Sequence, residues 1–214
     1  MLREADIAEV RPLFERYHQY AGVSNAATYL WVLEDKGKIL AAFAWQPPPF
    51  GAAKSACPEA PQAVLALSRM VAVPKAERAH LSQSNGRHIS KLLKRQTGHL
   101  IDRTRYPVLI TYADHGVGHD GYVYRCAGWT PTRKSVVPQY ENASGKRTSR
   151  YQNGLTSTEG LVEIGKNTIE RWEHWACARG AAAAWLEAHH WVRVAIPGKR
   201  WKSGSPAFRF ERRD

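Results

Sequence analysis

AVLALSRMVAV, residues Ala63 to Val73, is almost continuously apolar and contains neither Gly nor Pro. A strand with one wet face alternates apolar and polar residues, so an unbroken apolar run marks a central strand covered on both faces. Pro74 ends it. The next periodic stretch, Ser84 to Asp102, predicts a helix. Ile89, Leu92, Leu93, Gln96 and Leu100 fall on one stripe, while Lys91, Lys94 and Arg95 face out. Pro107 then opens a second apolar strand, VLITYAD, Val108 to Asp114. Strand, helix, strand in this order predicts an α/β unit with helix-connected central strands.

Upstream, Arg11 to Gln19 predicts an amphipathic helix with Pro12 in its first turn, where the missing N–H does no harm. Thr28 to Glu34 and Ile39 to Trp45 read as two strands joined by the turn Asp35-Lys36-Gly37-Lys38, giving a hairpin and an antiparallel start to the sheet. Gln46 to Pro61 holds Pro47, Pro48, Pro49, Gly51, Pro58 and Pro61, and reads as a loop. Downstream, the Gly-punctuated turn His115 to Gly118 leads to a short helix near His119 to Ala127. Gly128 suits its end, and Trp129 to Lys134 reads as a further strand. Pro138 to Gly154 reads as a hairpin or extended loop. Gly165 to His190 reads as a helix with Trp172, Trp175, Ala176 and Trp185 partly on one face, and Trp191 to Ile196 as a strand before a basic tail. The expected organisation is a catalytic unit over 1–134 and a basic, aromatic extension over 135–214 packed on the same domain.

The 214 residues suffice for one sizeable core, and no apolar run approaches the ~20 residues of a membrane span. The N-terminal MLREADIAEV has no signal-peptide pattern, which predicts a cytoplasmic protein with no membrane partner. The three cysteines are scattered and odd in number, with no CxxC pair, against both a disulfide framework and a zinc ribbon. Cys57 stands apart because its loop carries Pro58 and Glu59. The net charge of +12 is clustered: nine Lys/Arg face two acids between Arg69 and Arg105, and seven face one between Arg193 and Arg213. Such clusters act on polyanions at long range, and nucleic acid is their commonest partner.

The chemistry-bearing stretch is TYADHGVGHDGYVYRCAGW, Thr111 to Trp129. Asp114 closes an apolar strand at its carboxyl end, where open α/β sheets bind ligands. A carboxylate there can take a proton or orient a nucleophile, or it can simply cap the following turn. His115, His119 and Asp120 stand close by, Tyr122 and Tyr124 follow, and Arg125 adds a cation. A tyrosine hydroxyl beside a leaving group can act as general acid. His115 and His119 could ligate a metal with Asp114, but the intervening glycines argue against one helical face holding both, so no metal is expected. His18, between Tyr17 and Tyr20, is a further candidate. Ser68-Arg69 interrupts a covered strand, so the pair must be hydrogen-bonded or functional.

LSRMVAV (Leu67 to Val73), the serine-containing helix start, the Thr111–Trp129 block and YHQYAG (Tyr17 to Gly22) together resemble the Mom family of Mu-like bacteriophages. The resemblance covers about residues 15 to 134. It implies a GNAT-like acyltransferase fold, a mixed central sheet flanked by helices, with a C-terminal extension. It implies a phage- or prophage-encoded enzyme that places a carbamoylmethyl group on N6 of adenine in DNA, against host restriction. It implies catalytic roles for Asp114, Tyr124, His18, Ser68 and Tyr20. Ser82 or Ser84 matches a family serine. Substrate contacts fall to Arg69, Ser84, Arg87, His119, Arg125, Trp129, Lys199 and Arg200. N6 of a paired adenine is not nucleophilic, so the base must be extruded or single-stranded. Trp129, Tyr122, Trp31 and Trp45 are candidates to stack on it. The segment Glu77 to His88 has a single glycine, Gly86, where acetyltransferases have a Gly-rich pyrophosphate cradle. The activated acyl donor is therefore open between an acyl-CoA and an aminoacyl-tRNA. Two other readings stand beside this one: an acyl-CoA N-acetyltransferase of a small amine or protein, and a non-catalytic DNA-binding anti-restriction protein.

Overall fold

The computed structural model describes residues 1–18, 27–74, 88–143, 145, 147–148, 160–200 and 206–213. Tyr20, Ser82, Ser84 and Arg87 lie outside them, as does Gly86. In chain order the elements are β1 (Leu2–Glu4), α1 (Ile7–Tyr17), β2 (Tyr29–Asp35), β3 (Lys38–Gln46), α2 (Phe50–Ala56), β4 (Val64–Ala72), α3 (Ile89–Arg103), β5 (Val108–Asp114), α4 (Tyr122–Cys126), β6 (Thr130–Glu141), β7 (Arg147–Thr148), β8 (Val162–Trp175), α5 (Ala182–Ala188), β9 (Trp191–Arg200) and β10 (Pro206–Arg212). Eight strands form one mixed sheet in the order β1-β2-β3-β4-β5-β8-β6-β7, while β9 and β10 form a separate ribbon. Within the large sheet β4 and β5 are the parallel pair, and the other neighbours run antiparallel.

Local chemistry explains most of these boundaries. Helix α1 starts at Ile7 rather than at Arg11, because Asp6 and Glu9 form a capping box. The Glu9 N–H donates to Asp6 Oδ1 at 3.0 Å, and the Asp6 N–H to Glu9 Oε2 at 3.1 Å. Pro12 therefore sits inside the helix rather than in its first turn, and the Ala8 carbonyl goes without that backbone donor. The β2–β3 hairpin turns through Lys36 (φ 48°) and Gly37 (φ 76°), the left-handed pair that matches strand twist. The proline-rich segment read as a loop contains α2. Its prolines flank the helix on both sides, so FGAAKSA between them is free to coil.

The strands' alternation sorts the helices by face. Ala41, Phe43, Trp45, Leu65, Leu67 and Leu109 pack with Leu92, Leu93 and Leu100 of α3 and with Tyr124 of α4. Burying each of those leucines stabilises the fold by about 2 kcal/mol. On the other face, Ala42, Ala44 and Val71 meet Val10 and Phe14 of α1. Val64, Ala66, Val108 and Ile110 meet α2 and α5 on that same face.

The stretch expected to be helical over Gly165 to His190 begins as strand, up to Trp175. β8 occupies Val162–Trp175, and α5 keeps only Ala182–Ala188. Two neighbouring strands decide this, because β8 runs between β5 and β6 and is laddered to both. β6 itself runs straight through residue 134 to Glu141. The ribbon is tied down by Trp191 and Phe210 against the core under α2 and α5, with the Arg105 guanidinium 4.6 Å over the Phe210 ring. No helix among the described residues is long and apolar enough to cross a membrane.

Cys57, singled out by its loop, is fully buried. Burial, with a hydrogen bond to Glu59, pushes its thiol up to about 12. Cys126 is exposed and Cys177 intermediate, its thiol also raised by burial. At pH 8 an aromatic disulfide reagent should therefore react first with Cys126, and with Cys57 only after unfolding. Fast reaction in a Cys126→Ser variant, mapped to Cys57 by peptide mass, would contradict this burial.

Candidate active site

The sheet splits where its parallel strands part. β4 and β5 are paired only at Val64↔Val108, Leu65↔Leu109 and Ala66↔Ile110. Beyond that point β4 continues along β3, and β5 continues along β8. A crevice therefore opens at the carboxyl ends of two parallel strands, the place where open α/β sheets take ligands. One side-chain bridge spans its start. The Thr111 hydroxyl donates to the Leu67 carbonyl at 3.0 Å.

A bulge sets which residues face the crevice. Ala44 lies opposite Arg69 and Trp45 opposite Leu67, so Ser68 is the extra residue in β4. Its hydroxyl donates to the Ala44 carbonyl at 3.1 Å, and Arg69 Nη1 donates to the Ser68 carbonyl at 2.7 Å. The polar pair in a covered strand is thus hydrogen-bonded. The bulge also resets the alternation, leaving Arg69 on the α1/α2 face between Ala44 and Ala66.

Tyr112 and Asp114 lie on that same face of β5. Asp114 is buried, 7% exposed. Its Oδ1 accepts from the Gly116 N–H at 2.9 Å and from Asn167 Nδ2 at 3.0 Å. A Cβ on Gly116 would sit 1.9 Å from Asn167 Cγ, so only glycine lets this amide approach. Asn167, in β8, was not evident from sequence, because the segment that holds it reads as helix.

Tyr124 lies on the opposite face, in α4 beneath the split. It is buried between Trp129 and Trp172, with ring centroids 6.2 and 6.0 Å away. Burial raises its phenol above the ordinary range, so Tyr124 keeps its proton at neutral pH. Tyr124 and Asp114, ten positions apart in sequence, thus lie on opposite faces of the sheet beside the split.

The other sequence-named residues are dispersed. His18 caps the end of α1, its N–H bonded to the Phe14 carbonyl at 3.0 Å. His115 Nε2 is 3.6 Å from Glu170 Oε2. His119 and Arg125 are exposed near α4, and Lys199 and Arg200 are exposed on the ribbon. Of the aromatics proposed to stack on a base, Trp31, Trp45 and Trp129 belong to the core. Trp129 Nε1 donates to Thr97 Oγ1 at 3.2 Å, so this ring offers no face to a base. Tyr122 is 60% exposed and retains that capacity. Among the described residues no three His, Cys, Asp or Glu side chains are grouped to hold a metal.

The profile of the Mom protein family matches residues 2–200. The chain belongs to the Mom protein family. No curated protein matches it in sequence. Its fold is shared with N-acetyltransferases of known structure. One, from Staphylococcus aureus Mu50, is 12% identical with a TM-score of 0.50, over 83% of this chain and 98% of that one. A putative acetyltransferase from Salmonella typhimurium, solved with its cofactor acetyl-CoA, is 14% identical with a TM-score of 0.51, over 83% of this chain and 94% of that one. This Mom-family chain therefore has the GNAT fold, with its Asp114–Asn167 pair on one side of the strand split and Tyr124 on the other.

Proposed function

We propose that this Mom-family protein modifies adenine in DNA, placing a carbamoylmethyl-type group on N6 and so shielding the DNA from restriction. The observation that carries the reading is Asp114, a buried carboxylate held by two donors at the mouth of the β4–β5 split. An amine attacking an activated carbon must lose a proton, and the leaving group must gain one. Asp114 is placed to take the first from the α1/α2 face. Tyr124, kept neutral by burial, is placed to supply the second from beneath.

The donor belongs to the activated acyl class, an acyl-CoA or an aminoacyl-tRNA. The crevice fits a CoA arm, since β4 beyond Ala66 has no ladder to β5. Among the described residues no side chain caps the start of the fifteen-residue α3, so its first N–H groups are candidates to meet a pyrophosphate. Attack of N6 on the acyl carbon would release the CoA thiol or the tRNA hydroxyl and leave an N6-acyl adenine; a glycyl group delivered this way is an isomer of the carbamoylmethyl group and would become it by rearrangement, whereas an acetyl group would remain an N6-acetyl. The adenine must be extruded or single-stranded to reach Asp114, and Arg69 together with Lys199 and Arg200 on the ribbon provides cations for phosphates.

The test is mass spectrometry of nucleosides from plasmid DNA recovered from expressing cells. A heavier adenosine species is expected, its mass identifying the group. The fold likeness to N-acetyltransferases supports one other reading, acylation of a small amine or protein. Unmodified nucleosides despite good expression, with acetylation of an amine by acetyl-CoA in vitro, would replace the first reading by the second.

A further inference from the structure

A second cationic centre lies on the Asp114 face and is built from residues the sequence did not single out. Arg133 of β6 and Arg171 of β8 are direct cross-strand partners. Like charges placed so repel, and a sheet carries such a pair at a cost. Here both forks turn to one hydroxyl. Arg171 Nη1 donates to Ser55 Oγ at 3.0 Å, and Arg133 Nη1 donates to the same atom at 3.2 Å. Tyr112 is the partner of Arg171 across the β5–β8 ladder, so its phenol lies beside this guanidinium on the same face.

The back of the cluster is fixed. Glu173, 2% exposed, takes Arg171 Nε at 2.8 Å and Arg179 Nη2 at 2.8 Å. Trp175 Nε1 and Thr132 Oγ1 also donate to it, at 2.8 and 2.9 Å. Arg171 is therefore anchored through Nε with little side-chain entropy left to lose, and its outer edge meets Ser55, Nη1 donating to Oγ at 3.0 Å and Nη2 to the carbonyl at 3.4 Å. Arg171 and Arg179 pair with the one buried carboxylate and Arg133 stands across the ladder from Arg171, so the cluster of three arginines and one glutamate carries net positive charge. Ser55, Arg133 and Tyr112 are exposed at its surface. Tyr112 and Asp114 are two residues apart on one face of β5, which places the cluster about 7 Å along the strand from the carboxylate.

We propose that Arg133, Arg171, Ser55 and Tyr112 form a clamp for a backbone phosphate of the nucleic-acid strand that delivers its base to Asp114. Two guanidinium edges, one hydroxyl and one phenol supply donors to the non-bridging oxygens, and the phosphate relieves the Arg133–Arg171 repulsion. Ser55 Oγ holds the phosphate's place in its absence and becomes a donor once the anion arrives. This inference rests on the nucleic-acid reading above and adds a fixed register for the strand.

The test is fluorescence anisotropy of a labelled single-stranded deoxyoligonucleotide, titrated at several KCl concentrations with the wild type and Arg133→Gln. Arg133 is exposed, so the variant should melt with the wild type. The wild type should bind with log K falling linearly in log salt. Arg133→Gln should weaken binding several-fold whatever the sequence, and lower the slope by about 0.7, the share of one phosphate contact. Arg171→Lys, which keeps the charge beside Glu173 but loses the planar fork, should weaken binding as well. Strong wild-type binding with an unchanged slope in Arg133→Gln would overturn the clamp and leave the nucleic-acid reading standing. Unchanged oligonucleotide binding with loss of an acetyl-CoA-induced thermal shift would assign the clamp to donor phosphates and overturn it equally. No salt-dependent binding by the wild type would remove both.

Discussion

Asp114→Asn should retain the fold and lose at least about 100-fold in modified adenosine, the contribution typical of a positioned proton acceptor. On the proposed function Asp114 has two separable roles, and this substitution divides them. Its Oδ1 caps the turn by accepting from Gly116 and Asn167, and an asparagine oxygen can accept both bonds. An amide does not take up a proton, so only the chemistry is lost. The melting temperature should stay within about 3 °C of the wild type, as a change near 1 kcal/mol shifts a chain of this size. Asp114→Ala should lose the activity and in addition about 1–3 kcal/mol, because both donors are left without their acceptor. The two variants are to be compared by nucleoside mass and thermal melting together. Wild-type levels of modified adenosine in Asp114→Asn would reduce Asp114 to a turn cap.

Gly121→Ala should be the most damaging single-atom addition in the site. Gly121 precedes α4 at φ 74°, a conformation that strains any side chain. A Cβ there would lie 2.3 Å from Cε2 and Cζ2 of Trp172, far inside contact distance. Trp172 is 2% exposed, packs on Tyr124 and is laddered on both sides, so its ring has nowhere to retreat. Backbone strain and overpacking together should cost about 3 kcal/mol or more, lowering the melting temperature by roughly 6–12 °C. A variant melting within 2 °C of the wild type would show that the α4 entrance is looser than this packing implies. Because Tyr124 sits in the same cluster, activity should fall before the protein unfolds.

The parts legible in the sequence were those fixed by local chemistry. The unbroken apolar runs gave β4 and β5, the 3.6-residue stripe gave α3, and the left-handed pair Lys36–Gly37 closed the hairpin. Asp114 was legible because it terminates one of those runs. The Ser68–Arg69 interruption was visible, but not that Ser68 is a bulge, since a bulge is defined by the partner strand. The largest difference, β8, has the same origin. VEIGKNTIERWEHW carries polar side chains at positions that are buried only because β5 and β6 lie on either side, with Glu170 held by Lys134 and Glu173 by Arg179 and by Arg171 of the same strand. Asn167, Arg171 and Glu173 were invisible as site residues for the same reason. The three tryptophans named for stacking were placed by residue type alone, and type does not distinguish a core ring from a surface one.

The insertion of β8 between β5 and β6 also has a temporal meaning. A ribosome releases β5 and β6 well before it releases β8, yet those two strands touch only through it. Until about residue 175 has emerged, each presents a bare edge, the kind of template on which nascent chains cross-pair with one another. Asp114 acquires Asn167, and Tyr112 acquires Arg171, at that same late moment. A half-made chain is therefore not a half-active enzyme, and expression yield should respond to chaperone supply during synthesis of the last third more than to the stability of the finished protein.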